Sequence, residues 1–195
     1  MRIVSGIFRG RTINPPKNFK ARPTTDFAKE ALFNILTNSF EFEETEVLDL
    51  FSGTGSIGYE FASRGAAFVE MVEKSFIHCE FIRKTLTEIG ISNARIIKSD
   101  AFIYIERMSR PFDIVFADPP YEMEGIKTIP DKVLASKLLK ENAWFILEHG
   151  SSIKFTDHPA YFDHRNYGSV HFSFFKTLIQ NELHVISNSN QDHSK

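Results

Sequence analysis

The sequence is poor in cysteine and contains no long hydrophobic run. A single cysteine, Cys79, among 195 residues excludes an internal disulfide framework and a cysteine-based zinc cluster, and the seven histidines contain no HExxH pair. We therefore expect no metal site and interpret Cys79 as a thiol in the core. No segment approaches the roughly 18 uninterrupted apolar residues that span a bilayer, and arginines interrupt the N-terminal sequence MRIVSGIFRGRTI. The sequence therefore predicts a cytoplasmic protein without membrane contact.

The charge is distributed unevenly along a chain whose composition is typical of a folded protein. Hydrophobic residues make up 42% of the chain and charged residues 25%, which excludes wholesale disorder. The first 30 residues carry seven basic and two acidic side chains, whereas the other 165 carry 16 basic and 23 acidic ones. A basic arm ahead of an acidic body favours a polyanionic partner such as a nucleic acid, although a short positive run also suits a plain solvated surface.

From Glu46 onward, short runs of β-branched or aromatic residues alternate with helix-like segments, a pattern typical of βα units on a parallel sheet. The strands are predicted at residues 47–51, 68–72, 94–98, 113–117 and 144–148. After the last of these, residues 161–166 and 169–175 flank Tyr167-Gly168 with no helix between them. This arrangement predicts an antiparallel hairpin at the edge of the sheet.

Hydrophobic spacing predicts two helices. The first, residues 26–36, has apolar residues on one side at Phe27, Ala31, Leu32 and Ile35. The second lies between the second and third strands, is capped by Ser75, ends at Gly90 and has its apolar face at Cys79, Ile82, Leu86 and Ile89. Ahead of both, residues 2–13 are consistent with a small hairpin, and residues 14–24 form a proline-containing loop.

A glycine-rich turn is the first functional motif. Residues 49–58 read DLFSGTGSIG, in which Gly53 and Gly55 belong to a G-x-G-x-x-G pattern between a strand and a helix. Glycine allows a sharp turn and close approach of a ligand, and the helix N-terminus offers unpaired N–H groups. Glu73 follows 18 residues after Gly55, where a carboxylate can accept hydrogen bonds from both ribose hydroxyls. These features fit NAD and S-adenosylmethionine equally.

Three acidic residues favour S-adenosylmethionine over NAD. Asp49, Glu73 and Asp100 each end a predicted strand, so they should line the carboxyl edge of the sheet, where doubly wound sheets bind ligands. Three acids suit a ribose, an adenine amino group and a cationic methionyl tail better than a pyrophosphate. Alternatively, acids at strand ends simply cap helices.

The motif Asp118-Pro119-Pro120-Tyr121 at the end of the fourth strand indicates chemistry on an amine. Two prolines make a rigid turn, so the Asp118 carboxylate and the Pro119 carbonyl can act as fixed acceptors for the hydrogens of an exocyclic amino group. Gripping both hydrogens directs the nitrogen lone pair towards an electrophilic methyl group. Tyr121 could then stack on a base flipped out of its helix. The alternative is a proline turn with a packed tyrosine.

Other functions remain open on these residues. The DPPY motif is compatible with an amino-methyltransferase acting on adenine N6 in DNA or RNA. A nucleotide-binding module without catalysis could hold RNA on the basic arm and NAD at the glycine loop. A protein-glutamine methyltransferase is less compatible, because those enzymes favour asparagine at the position of Asp118.

Taken together, the motifs resemble the bacterial RsmD family, whose members methylate a guanine N2 in 16S ribosomal RNA with S-adenosylmethionine. The resemblance covers about residues 2–176 and rests on RPTTDFAKEALFNIL (22–36), DLFSGTGSIG (49–58), SRGA (63–66), VEK (72–74), NAR (93–95) and DPPY (118–121). It implies an α/β, Rossmann-like class I methyltransferase fold, in which a seven-stranded, mostly parallel sheet has one antiparallel strand and is fronted by a small N-terminal β-hairpin.

The resemblance also implies a division of the chain and a set of site residues. Residues 1–24 would form a basic hairpin and loop that contacts RNA, and residues 25–176 the methyltransferase domain. Residues 177–195 lie beyond the resemblance, and we expect a largely disordered extension there because residues 187–195 are polar and show no hydrophobic pattern. The cofactor would contact Asp49, Phe51, Gly53, Gly55, Glu73, Asp100 and Ala101. The guanine would be held by Asp118, Pro119 and Tyr121, and RNA by Arg9, Arg11 and Arg22. The partner would be 16S ribosomal RNA in a small ribosomal subunit or assembly intermediate, bound by a monomer.

The sequence departs from the family pattern at two positions. Ser75 stands where the family commonly has an acidic residue two places after Glu73, and Phe27 stands where a basic residue commonly follows the aspartate of the RPT segment. The first departure concerns the cofactor site, and the second removes one expected RNA contact.

Overall fold

A computed structural model describes residues 1–16, 19 and 25–177 of the chain. Its strands are β1 (Glu46–Asp49), β2 (Phe68–Glu73), β3 (Ala94–Lys98), β4 (Phe112–Ala117), β5 (Leu139–His149), β6 (Tyr161–Tyr167) and β7 (Val170–Lys176). Its α-helices are α1 (Asp26–Thr37), α2 (Ser56–Ser63), α3 (Phe76–Ile89), α4 (Ala101–Arg107) and α5 (Ile129–Leu134). Most of the predicted C-terminal extension, residues 178–195, lies outside the described residues, as does part of the predicted loop. Within the described ranges, no helix is long and apolar enough to cross a membrane.

The strands form one seven-stranded sheet in the order β3-β2-β1-β4-β5-β7-β6. The strands from β1 to β5 run parallel to one another. Strand β7 is antiparallel to both β5 and β6, so it is the single reversed strand of the sheet. The predicted Rossmann-like sheet and its hairpin edge are therefore confirmed.

Helices cover both faces of the sheet and divide the hydrophobic core into two. On the first face, the core contains Leu32 of α1, Phe61 of α2 and Ile82 of α3. On the second face, it contains Tyr104 of α4 and Val133 of α5. Parallel strands buried on both faces explain the nearly continuous apolar runs in the sequence.

Local signals placed the two predicted helices accurately, but the predicted apolar face of α1 was only partly right. Helix α3 has Ser75 at its N-cap and Gly90, with a φ of 84°, at its C-cap. Cys79, on the inner face of α3, is buried as expected. In α1, by contrast, Phe27 is 70% exposed. The residues that α1 buries are Ala28, Lys29, Leu32, Phe33 and Leu36. Leu32 belongs to both the predicted and the observed buried face, and packing against the core turns that face away from Phe27.

The N-terminal segment, residues 1–13, packs against the first face. Its predicted hairpin is reduced to one antiparallel bridge between Arg2 and Thr12, supported by a hydrogen bond from the Ile3 N–H to the Arg11 carbonyl at 3.0 Å. Ile3 and Ile13 are buried in the same core as α1 and α2. This segment therefore shares its core with α1, α2 and the first face of the sheet.

A buried carboxylate anchors this segment to α2. Glu60 is fully buried and accepts hydrogen bonds from the Val4 and Ser5 backbone N–H groups at 2.8 and 2.9 Å. Arg64 lies 2.9 Å and Lys29 3.4 Å from its oxygens. Burial lowers the pKa of Lys29, and the charge of Glu60 opposes that shift. The anchor holds because each buried charge has a partner of opposite sign.

Replacing Glu60 by alanine should destabilise the fold by about 3 to 5 kcal/mol, since it leaves a buried cation and two amide donors without their acceptor. Chemical denaturation would measure this loss, and hydrogen exchange should accelerate at the Val4 and Ser5 amides. Glu30→Ala, at an exposed position on α1, is the matched control and should change stability little. Equal losses in the two variants would contradict the anchoring role of Glu60.

Candidate active site

Four carboxylates meet at the carboxyl edge of the sheet. Asp49 ends β1, Glu73 ends β2, Asp118 follows β4 and Glu148 lies near the end of β5. We call these four residues the acidic cluster. The register pairs Ala117 with Leu147, which brings Asp118 opposite Glu148 on adjacent strands. Side chains alternate along a strand, so all four acids point to the first face.

The glycine loop crosses this edge between β1 and α2. Gly55 adopts a φ of 84°, and a Cβ there would lie 2.6 Å from the ring of Tyr59. Gly58 packs α2 against β2, because a Cβ there would lie 2.3 Å from the sulfur of Met71. Position 55 therefore favours glycine because of its left-handed backbone, and position 58 because of its close packing against the Met71 side chain. Gly53 also has a positive φ, of 53°.

Glu73 connects the glycine loop to the start of α3. Its Oε2 accepts a hydrogen bond from the Gly53 N–H at 3.0 Å, and its Oε1 accepts one from the Ser75 N–H at 2.7 Å. A carboxylate has about four lone-pair sites, so both contacts leave capacity for a ligand hydroxyl. Ser75, the departure from the family pattern, serves here as a backbone donor and as the cap of α3.

Asp49 is a buried acid at the base of the loop. It is 1% exposed, and its Oδ2 has no hydrogen-bond partner among the residues that the structure describes. Burial raises the pKa of Asp49 to about 7, and the negative charge of Glu73 adds to the shift. The buried hydroxyl of Ser56, the first residue of α2, is likewise without a partner within those ranges. Both groups suit a ligand that donates hydrogen bonds or carries positive charge.

Asp100 and Ala101 lie where β3 passes into α4, further along the same edge. Asp100 caps α4 by accepting a hydrogen bond from the Phe102 N–H at 3.0 Å, and Lys74 lies 3.2 Å from its other oxygen. Burial alone would raise the pKa of Asp100, but the hydrogen bonds from Lys74 and the backbone outweigh it and hold the pKa below its usual value. Asp100 is thus a helix cap, as the alternative interpretation expected, and it remains partly exposed to a ligand.

An aromatic pair lies above this part of the edge. The rings of Phe51, in the glycine loop, and Phe102, in α4, are 6.3 Å apart between centroids in an edge-to-face arrangement. Both side chains are partly exposed. They offer apolar surface beside the polar groups of the loop, as an adenine ring requires.

The DPPY turn stands at the centre of the acidic cluster. Pro119 is buried, and the hydroxyl of Tyr121 donates a hydrogen bond to Oε1 of Glu148 at 3.0 Å. Burial raises the pKa of Asp118 well above its usual range, and the negative charges of Glu148 and Asp49 raise it further. Asp118 is therefore a stronger base than an ordinary carboxylate.

Sequence reasoning missed Glu148. The residue is 3% exposed and lies in the run WFILEH of β5. An acid at the carboxyl end of an apolar strand is a recognisable signal, because a buried charge needs a specific partner. Its contact with Tyr121 depends on the pairing of β4 with β5, which the sequence does not specify.

Two of the three predicted RNA-binding residues, Arg9 and Arg11, lie in the N-terminal segment, which packs beside α2. Thr54 in the glycine loop donates a hydrogen bond to the sulfur of Met1, and the Ile7 N–H donates one to the carbonyl of Ser63, at the end of α2. Arg9 and Arg11 are exposed and form no ion pair with any other described residue. Arg22 lies outside the described residues.

Comparisons with known proteins agree with this geometry. A family model described as "Conserved hypothetical protein 95" matches residues 1–176. The Escherichia coli (strain K12) protein "Ribosomal RNA small subunit methyltransferase D" is 33% identical over 144 residues, covering 74% of this chain and 69% of the relative. The chain belongs to this family. The resemblance seen in the sequence is thereby confirmed.

Two solved structures are similar to this chain over nearly its whole length. The structure of yhhF from Escherichia coli has 27% sequence identity and a TM-score of 0.79, and covers 91% of this chain and 97% of its own. A hypothetical protein of Thermus thermophilus has 25% identity and a TM-score of 0.80, with 90% of this chain and 98% of its own covered. These two solved structures therefore share the overall fold of this chain.

Replacing Asp49 by asparagine should stabilise the ligand-free protein while weakening its site. The raised pKa means that the folded state binds a proton more tightly than the unfolded chain, so charged Asp49 opposes folding increasingly from about pH 4 to about pH 7. At about 1.4 kcal/mol per pKa unit, the gain in the asparagine variant should approach about 4 kcal/mol at pH 8 and vanish near pH 4. Denaturation at several pH values would measure it.

We propose that the charged Asp49 carboxylate accepts a hydrogen bond from the ammonium group of the cofactor's methionyl tail. The same variant should then bind S-adenosylhomocysteine at least about tenfold more weakly at pH 8, because this charged partner is lost. Wild-type affinity should also fall as the pH is lowered through 7, whereas that of the variant should not. If calorimetry finds the same S-adenosylhomocysteine affinity in Asp49→Asn as in the wild type, the ammonium group does not bind at Asp49.

Proposed function

We propose that the protein transfers a methyl group from S-adenosylmethionine to the exocyclic N2 amine of a guanine in 16S ribosomal RNA of the small subunit. The observation that carries this proposal is the position of the DPPY turn. Asp118 belongs to the acidic cluster together with Asp49, at the base of the glycine loop, and Tyr121 donates a hydrogen bond to Glu148 of the same cluster. Membership of the methyltransferase D family supports ribosomal RNA as the substrate.

The residues at the edge fit S-adenosylmethionine in chemical type. The unpartnered Oδ2 of Asp49 can accept a hydrogen bond from the ammonium of the methionyl tail. Glu73 can accept the ribose hydroxyls, and Asp100 with Ala101 can hold the adenine beside Phe51. Gly53 and Gly55 both have positive φ, so they allow the sharp turn of the loop at which the cofactor would bind. When bound, the cofactor supplies an electrophilic methyl group on a sulfonium ion.

Asp118 and Pro119 act on the amine. The amino nitrogen of guanine is a poor nucleophile, because its lone pair is delocalised into the ring. Asp118 and the Pro119 carbonyl accept its two hydrogens and direct the lone pair out of the ring plane, which is a matter of orientation and charge stabilisation. The raised pKa of Asp118 suits it to stabilise the positive charge that develops on nitrogen and to take up the proton released.

Tyr121 and the basic arm would contact the RNA. Tyr121 is held by its hydroxyl at Glu148, so its ring can offer a fixed surface for stacking the flipped base. Arg9, Arg11 and Arg22 would contact phosphates. The N-terminal segment reaches from the glycine loop to the end of α2, so phosphate contacts there would orient RNA towards the acidic cluster.

Asp118→Ala should retain the cofactor and lose turnover by about a hundredfold or more, because it removes an acceptor that matters most as charge develops on nitrogen. The assay uses labelled S-adenosylmethionine and small-subunit particles from cells that lack this protein, followed by nucleoside analysis. S-adenosylhomocysteine affinity provides the control for an intact cofactor site. Asp157→Ala, at an exposed position outside the acidic cluster, should behave as wild type.

The identity of the methylated nucleoside shows which base the enzyme modifies. Recovery of N2-methylguanosine is the expected result. Recovery of N6-methyladenosine would overturn the guanine assignment and leave an amino-methyltransferase acting on adenine. A normal rate in Asp118→Ala would contradict both.

The double variant Arg9→Ala, Arg11→Ala should bind the particles more weakly and with a shallower salt dependence. Each phosphate contact contributes nearly one unit to the slope of log affinity against log salt, so the slope should fall by about two. These substitutions spare the Glu60 anchor, which a truncation would destroy. Arg107→Ala, an exposed arginine at the far end of α4, is the matched control. An unchanged slope would show that the arm is a plain solvated surface.

A further inference from the structure

Glu148 is the one member of the acidic cluster that the proposed chemistry does not use directly. It is almost completely buried, yet it lies opposite Asp118 in the register of β4 with β5. A second carboxylate beside the first raises the energy of both ionised groups. A ligand that donates hydrogen bonds to both carboxylates would stabilise such a buried pair of acids.

The hydrogen bond from Tyr121 sets the orientation of Glu148. The tyrosine hydroxyl donates to Oε1 at 3.0 Å, which fixes the carboxylate beside the side chain that would stack on the base. A carboxylate has about four lone-pair sites, so it can accept a further hydrogen bond while it holds Tyr121. Glu148 is therefore positioned to contact the edge of a base stacked on that ring.

Purine bases differ at the ring nitrogen next to the amino group. In guanine, the atom beside the N2 amine is N1, which carries a hydrogen and acts as a donor. In adenine, the N1 atom beside the N6 amine has a lone pair and acts as an acceptor. Adjacent strands are about 4.8 Å apart, so two carboxylates on neighbouring strands can meet two adjacent donors on one base edge. Guanine offers two adjacent donors there, and adenine offers one donor and one acceptor.

We propose that Glu148 determines the base specificity of this enzyme by accepting a hydrogen bond from the N1–H of guanine while Asp118 accepts one from its N2 amine. The carboxylate would repel the N1 lone pair of adenine. This inference rests on the proposed function, since it assumes that an N2 amine is the methyl acceptor. A site built around a hydrogen bond rejects an analogue that lacks the donor, because the buried acceptor is left without a partner.

The test compares guanine with 2-aminopurine, which keeps the amine at C2 but has an acceptor at N1. Small-subunit particles are reconstituted with RNA that carries either base at the nucleotide methylated by the wild type. The wild type should prefer guanine in kcat/KM by at least about tenfold. Because Tyr121 holds the oxygen of the residue, Glu148→Gln would turn an amide N–H donor towards N1. Its preference for guanine should fall by at least about tenfold and can reverse.

Controls separate specificity from folding. Glu141→Gln, at an exposed position on the same strand, should keep the wild-type preference. S-adenosylhomocysteine affinity close to that of the wild type would show that Glu148→Gln has an intact cofactor site. If that variant fails to fold, the wild-type comparison of the two bases decides alone.

Two results would overturn the role of Glu148 while the proposed function stands. One is a wild type that methylates guanine N2 but uses 2-aminopurine equally well. The other is a folded Glu148→Gln enzyme that loses rate equally on both bases, which a purely structural role would produce. Failure of the wild type to form N2-methylguanosine at all would instead refute the proposed function, and the role of Glu148 with it.

Discussion

Parallel strands in register bring their terminal acids to the same edge and the same face of the sheet, and the rest of the site depends on this constraint. Asp49, Glu73, Asp118 and Glu148 arrive there from four different strands. Burial and mutual repulsion raise the pKa values of Asp49 and Asp118, so the ligand-free edge is electrostatically unfavourable. Ligands that donate hydrogen bonds or carry positive charge relieve this repulsion. The site thus gives up stability for binding and chemistry, as functional sites commonly do.

Helix α2 adjoins both the proposed cofactor site and the basic N-terminal segment. The first residues of α2 follow the glycine loop, and within α2 Glu60 holds the N-terminal segment through two backbone N–H groups. Because the buried partners Lys29 and Arg64 neutralise Glu60, the segment that carries the basic side chains is fixed to the element that would receive the cofactor. The position of the arm relative to the acidic cluster is therefore set by a buried ion pair, and its exposed charges remain available for phosphate.

Local signals made much of this structure predictable from the sequence. Ser75 and Gly90 determine the ends of α3 by capping. Glycine spacing and the DPPY turn, which also act over a few residues, indicate the candidate site. Three features depend on long-range packing and were not predictable. The exposure of Phe27 depends on which side of α1 meets the sheet. Strand β5 begins at Leu139, in a polar stretch, where Leu139 pairs with Phe112 of β4. Glu148 acquires its contact with Tyr121 only through the register of two strands.

The central claim is that the acidic cluster and the glycine loop form a single site in which cofactor and base meet. A crystal structure of the protein with S-adenosylhomocysteine tests it most directly. We predict that the ammonium lies within hydrogen-bond distance of Asp49, that the ribose contacts Glu73, and that the sulfur faces the DPPY turn. A cofactor bound with its sulfur directed away from Asp118 and Tyr121, or bound elsewhere on the sheet, would contradict it.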